Sequence, residues 1–122
     1  ELVEFISISE SSEIITKDLV EKFSTSCFEN ARKNYAGRGI GNNSGVVSVA
    51  LLFGSNVDLT AKKYCEKMSK YHWSSKEISI VYDTKNNTFH YNSGWRIIGG
   101  ALHFHYLKLS KKTMKLVKDI LI

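Results

Sequence analysis

The clearest hydrophobic pattern along the chain is the run GVVSVALLF, residues 45–53, where nearly every position is apolar. A continuous β-branched run of this length predicts a strand covered on both faces. Amphipathic segments flank it on either side. Upstream, Ile15, Leu19, Phe23, Cys27 and Ala31 recur every fourth position, which predicts a helix starting at Ser11 or Ser12 with one buried stripe. It ends toward YAGRGIGNNSG, whose glycines and asparagines break regular structure. Downstream, Ala61, Tyr64, Cys65, Met68 and Tyr71 fall on one face of a second helix, with Lys62, Lys63, Glu66, Lys67 and Lys70 on the other. Asn56 or Asp58 is placed to cap it.

The rest of the chain reads mostly as strand. LVEFISIS at the start is aromatic and β-branched. KEISIVYDTKNNTFHYNSG predicts a hairpin turning at Lys85-Asn86-Asn87, because asparagine tolerates the positive φ that tight hairpin turns need. WRIIGGALHFHYLKL predicts another long strand with a bulge at Gly99-Gly100. A final helix is expected from Ser110, with Met114, Leu116, Val117, Ile120 and Leu121 free to pack. The resulting order, β-α-β-α-β-β-β-α, predicts one α+β domain over residues 1–122: a mainly antiparallel sheet of about five strands with three helices packed on it.

Composition narrows the class. A chain of 122 residues that is 43% hydrophobic and 24% charged has enough apolar surface for one folded domain and is not disordered. GVVSVALLFG is half the ~20 residues a membrane helix needs, so no transmembrane segment is expected, and no leader pattern opens the chain. Cys27 and Cys65 are too far apart for a zinc finger. Both lie on apolar helix faces and should be buried, as small hydrophobes or as an inter-helix disulfide if the chain is exported. Asn42-Asn43-Ser44 and Asn86-Asn87-Thr88 match the glycosylation acceptor pattern and tilt the expected location toward secreted or exported.

Charge changes the picture more. Residues 1–60 hold 5 Lys/Arg against 8 Asp/Glu, net −3, whereas residues 61–122 hold 12 against 4, net +8. A basic half attracts polyanions through long-range, salt-sensitive fields, and it also keeps a protein soluble. Lys111, Lys112, Lys115 and Lys118 on the last helix are candidate nucleic-acid contacts. The aromatics of YHW, FHY and HFHY would allow base stacking beside them, which suits RNA or single-stranded DNA.

Candidate chemistry centres on GALHFHYLKL, residues 100–109. In a strand, positions two apart share a face, so His103 and His105 would lie side by side and, with His90 on a neighbouring strand, could hold a divalent metal. The LHFH stretch, together with His90, resembles the metal-binding strand of the HUH endonucleases. That resemblance implies nicking of single-stranded DNA by a helical tyrosine. SKKTMKLVKDILI has no tyrosine, so Tyr35, Tyr64 or Tyr71 would have to serve. A metal-free reading uses His103 or His105 with His90 as acid and base, and Lys108 and Arg96 to stabilise charge on a phosphate. Small basic α+β ribonucleases of this kind act as secreted toxins. The bland alternative is that both histidines are solvated strand residues.

The glycine-rich loops add little. GRGIGNNSG lies between a helix and a strand, the reverse of the order a nucleotide loop needs. FGSNVDLTAKK has the right order for an anion at a helix start but neither phosphate-loop pattern, and reads as a capped helix entry. Two functions are therefore expected to compete: a nucleic-acid-directed domain, with toxin-type nuclease chemistry as its sharper form, and a non-enzymatic module that binds a protein partner.

Overall fold

The computed structural model describes residues 2–35, 45–67, 70–72, 75–93 and 100–121; for residues 2, 70–72 and 100–106 it describes the backbone alone. In chain order the elements are β1 (Leu2–Glu10), α1 (Lys17–Lys33), β2 (Gly45–Gly54), α2 (Leu59–Lys67), β3 (Lys70–His72), β4 (Ser75–Asp83), β5 (Thr88–His90) and α3 (Gly100–Leu121).

The sheet is four strands wide, in the order β1-β2-β4-β3, with β5 on the same edge of β4 as β3 but at its other end. β1 pairs with β2, and β2 with β4, in parallel; β3 and β5 run antiparallel to β4. The sheet is therefore mixed and four strands wide, and the expectation of a mainly antiparallel sheet of about five strands is corrected. The physical reason lies in the connections. Helix α1 carries the chain back to the end where β1 began, so β1 and β2 run the same way; α2 leads into β3, which runs the opposite way, and β4, antiparallel to β3, restores the direction of β2. The order β-α-β-α-β-β-β-α recurs, but with different parts. Lys70–His72, read as the end of a helix, is β3, and residues 100–109, read as a strand, are the first half of α3.

Two layers of helix enclose the sheet. On one face α1 and α2 cover Leu52 and Val81 with Val20, Ala61, Tyr64 and Cys65. On the other, Leu109, Met114 and Val117 of α3 pack on Val47, Val49, Leu51, Ile78 and Ile80. β2 is buried at every position but Phe53, as its continuous apolar run predicts. Each Val or Leu fully hidden there contributes about 1.5–3 kcal/mol relative to exposure.

Local chemistry sets the boundaries. α1 starts at Lys17 because the Thr16 hydroxyl accepts from Leu19 N at 3.2 Å. Ile15, fully buried, is taken out of the helix: its N–H donates to Asn56 O at 2.9 Å and its carbonyl accepts from Asp58 N at 3.0 Å. Of the two candidate caps for α2, Asp58 serves, accepting from Ala61 N at 2.9 Å and from the Thr60 hydroxyl at 2.7 Å. The hairpin turns as expected, with Asn87 at φ 53° and the Tyr82 hydroxyl donating to its side-chain oxygen. Cys27 and Cys65 are both buried and both free thiols. Among the described residues, no helix is long and apolar enough to cross a membrane.

Candidate nucleic-acid interface

α3 divides its residues cleanly between core and solvent. Leu109, Thr113, Met114 and Val117 are buried, while Lys108, Lys111, Lys112, Lys115 and Lys118 are exposed. The helix contains one acidic residue, Asp119, and among the described residues none of the five lysines is in an ion pair. One side of this helix is therefore a row of uncompensated ammonium groups.

The β4–β5 hairpin supplies a second wall. Alternation along the strand sends Phe89 and Tyr91 to the α3 face and His90 to the other. Phe89 stacks on Tyr82, with ring centroids 4.2 Å apart and planes 20° from parallel. Between hairpin and helix lies a groove of about 400 Å³, lined by Phe89, Tyr91, Lys111, Met114, Lys115 and Lys118. The Lys118 ammonium sits 5.6 Å from the centre of the Phe89 ring, within reach of a cation–π contact. Lys108 and Lys112 are exposed on the same helix but do not line the groove.

The expected histidine site fares differently. His103 and His105 lie on a helix, where positions two apart do not face each other. The strand that was to align them, and on which the likeness to the HUH endonucleases depends, is replaced by α3. Their side chains, and Arg96 altogether, lie outside the described residues. His90 points toward α2, with Nδ1 2.7 Å from Glu66 Oε2 and Nε2 3.2 Å from the Thr88 hydroxyl. The sheet thus separates His90 from the groove. Among the described residues no three His, Cys, Asp or Glu side chains gather as a metal site. Of the tyrosines weighed as nucleophile, Tyr64 is buried, and that burial, aided by Glu21 and Glu77, pushes its hydroxyl up to about 12. Such a group does not ionise near neutral pH.

The sequence singles out the lysines and the FHY aromatics but not Met114 as a groove residue, because its helical spacing marks it only as core. It also leaves the His90–Glu66 contact unseen, since the two are brought together only by the docking of α2 beside β5. No protein-family model matches the chain, and neither a curated protein nor a solved structure shows a significant match.

Proposed function

We propose that this is a nucleic-acid-directed domain that binds a single strand, RNA or DNA, in the groove between the β4–β5 hairpin and α3. One observation carries the reading: two aromatic rings and three ammonium groups, none of them in an ion pair among the described residues, line the same groove. Rings offer every base a stacking surface, lysines track the phosphates, and together they make a sequence-tolerant single-strand site. The uneven charge of the chain, net +8 over residues 61–122, draws a polyanion toward this half. The sharper form, a toxin-type nuclease, needs an imidazole at the groove. His90 does not supply it, so His103 or His105 would have to, with Lys108 and Arg96 stabilising the phosphate. The rival reading, a protein-interaction module, draws on Leu116, Ile120 and Leu121, which are 39%, 68% and 42% exposed near the end of α3.

Affinity for a labelled single-stranded oligonucleotide, measured across salt concentrations, tests the proposal. Each single-strand phosphate contact contributes about −0.7 to the slope of log affinity against log salt, so replacing Lys111, Lys115 and Lys118 together by Gln should flatten the slope by about 2. Tyr91→Ala should weaken binding by about 1–3 kcal/mol, the worth of one base stack. Equal slopes for wild type and triple variant, or no binding at low salt, would favour the protein-binding module. Strand breakage in the same mixtures, lost in His103→Ala or His105→Ala, would support the nuclease form.

A further inference from the structure

On the α2 side of the hairpin, at the carboxyl ends of the parallel strands β2 and β4, a second cleft of about 450 Å³ opens between Ser55–Val57 and the turn after Asp83. Its wall holds three charged groups, Lys62, Lys85 and Asp83. The Asp83 side chain is 3% exposed. Its Oδ2 accepts from Lys62 Nζ at 3.1 Å and from the Asn86 amide at 2.8 Å, and its Oδ1 accepts from Asn86 N at 3.2 Å. Burial disfavours the ionised carboxylate, but Asn86 and Lys62 more than offset it and hold its pKa below the usual value.

The carboxylate is therefore fully engaged, while its cation is not. An ammonium group carries three N–H donors, and Lys62 has no partner but Asp83 among the described residues, with its side chain 22% exposed toward the cleft. Lys85, across the turn, is exposed and has no partner among them either. Among the described residues, the Ser55 hydroxyl and the Asn56 side-chain amide likewise have no hydrogen-bond partner. Two lysines against one acid leave the lining net positive, and that acid, Asp83, is engaged with Lys62 and Asn86. The opening lies where ligands sit in sheets of parallel strands, outside their carboxyl ends.

We propose that this cleft binds a phosphate monoester, with Lys62 and Lys85 as its cationic contacts and Ser55 and Asn56 as neutral donors. Asp83 acts as a positioning residue that fixes the Lys62 ammonium at the wall. The monoester has two sources, a free nucleotide or the phosphorylated end of a strand. The second rests on the nucleic-acid reading above; the first does not.

Amide NMR titration tests it, using inorganic phosphate, a nucleoside 5′-monophosphate, the matching nucleoside, and sodium chloride at equal ionic strength. Saturable shifts at Ser55, Asn56, Lys62, Lys85 and Asn86 are expected with phosphate and monophosphate, and none with nucleoside. Lys85→Gln should weaken binding roughly tenfold, as loss of a hydrogen bond from a charged group does. Lys62→Gln alone strips Asp83 of its counter-ion, so the double variant Lys62→Gln/Asp83→Asn keeps a neutral pair there and should also lose binding. Identical shifts with sodium chloride, or unchanged affinity in the double variant, overturn the proposal. Oligonucleotides with and without a 5′-phosphate separate the sources: a preference for the phosphorylated end, lost in the double variant, assigns the strand end, and binding of free nucleotide without that preference assigns the small molecule. If neither phosphate, nucleotide nor phosphorylated end binds, the cleft is no phosphate site, while salt-dependent oligonucleotide binding at the α3 groove would stand unaffected.

Discussion

A methyl group on Gly54 would sit 2.7 Å from the Ser11 carbonyl oxygen and 3.3 Å from Ile15 Cδ1. Because the nearer atom is backbone, it cannot step aside cheaply, and Gly54→Ala should cost about 1–3 kcal/mol. Chemical denaturation would show a lower midpoint with an unchanged slope. Asn87 makes a different demand, since its φ of 53° is costly for a residue with Cβ. Asn87→Ala should lose about 1–2 kcal/mol, and Asn87→Gly less, because only the acceptor for Tyr82 is lost. Asp83, with its folded pKa depressed, contributes stability that is fully present above its unfolded pKa of about 4 and disappears as pH falls through the folded value. Acid unfolding of Asp83→Asn should therefore start from lower stability and fall less steeply below that pH. The two thiols are a simpler test. Burial pushes Cys65 up to about 12, and burial likewise raises Cys27, with Ser7 opposing and Glu77 adding to it. Neither should react with a thiol reagent until the protein is unfolded. The residue scale is the most legible in sequence: an asparagine turn at Lys85-Asn86-Asn87, a cap at Asn56 or Asp58 and both buried cysteines follow from residue type and spacing, and the structure selects Asn87 and Asp58. Gly54 was not, because what crowds it is a loop some forty residues away in the chain.

At the scale of elements, α3 shows how a local pattern misleads. HFHY contains β-formers in alternation, and β propensity mostly records how a side chain fits a sheet that is there to receive it. The far edge of β4 already pairs with β3 and β5, whereas a helix satisfies its own backbone. Between Ala101 and Leu121 there is neither Gly nor Pro to stop it, so the helix evident from Ser110 onward extends back to Gly100. Its attachment to the sheet is concentrated in few side chains. Leu109→Ala or Met114→Ala should each cost about 2–5 kcal/mol, while the triple lysine variant should stay within about 0.5 kcal/mol of wild type, being a surface change. Thermal melts of the three proteins compare the two sides of one helix. If the lysine variant melted as early as Leu109→Ala, the division into core and solvent faces would be wrong.

For the molecule as a whole, the sequence carries the number of helices and the buried central strand but not the sense of the strands. Sense is decided by which strand each crossover returns beside, and no single segment records that. The same blindness hid the groove and the cleft, each of which joins residues from a helix and a hairpin distant in the chain. One consequence of the parallel core concerns time. β2 reaches its final state only when Leu2 meets Gly45 on one side and Val47 meets Lys76 on the other, so long loops must close before either pairing is rewarded. No local hairpin can stand in for these contacts as a nucleus. Refolding in stopped-flow mixing should accordingly be slow for a chain of this size, on the order of milliseconds to seconds rather than microseconds. A helix-rich protein of equal stability would return far sooner, and this one spends the interval with its most apolar segment, residues 45–54, open to other chains.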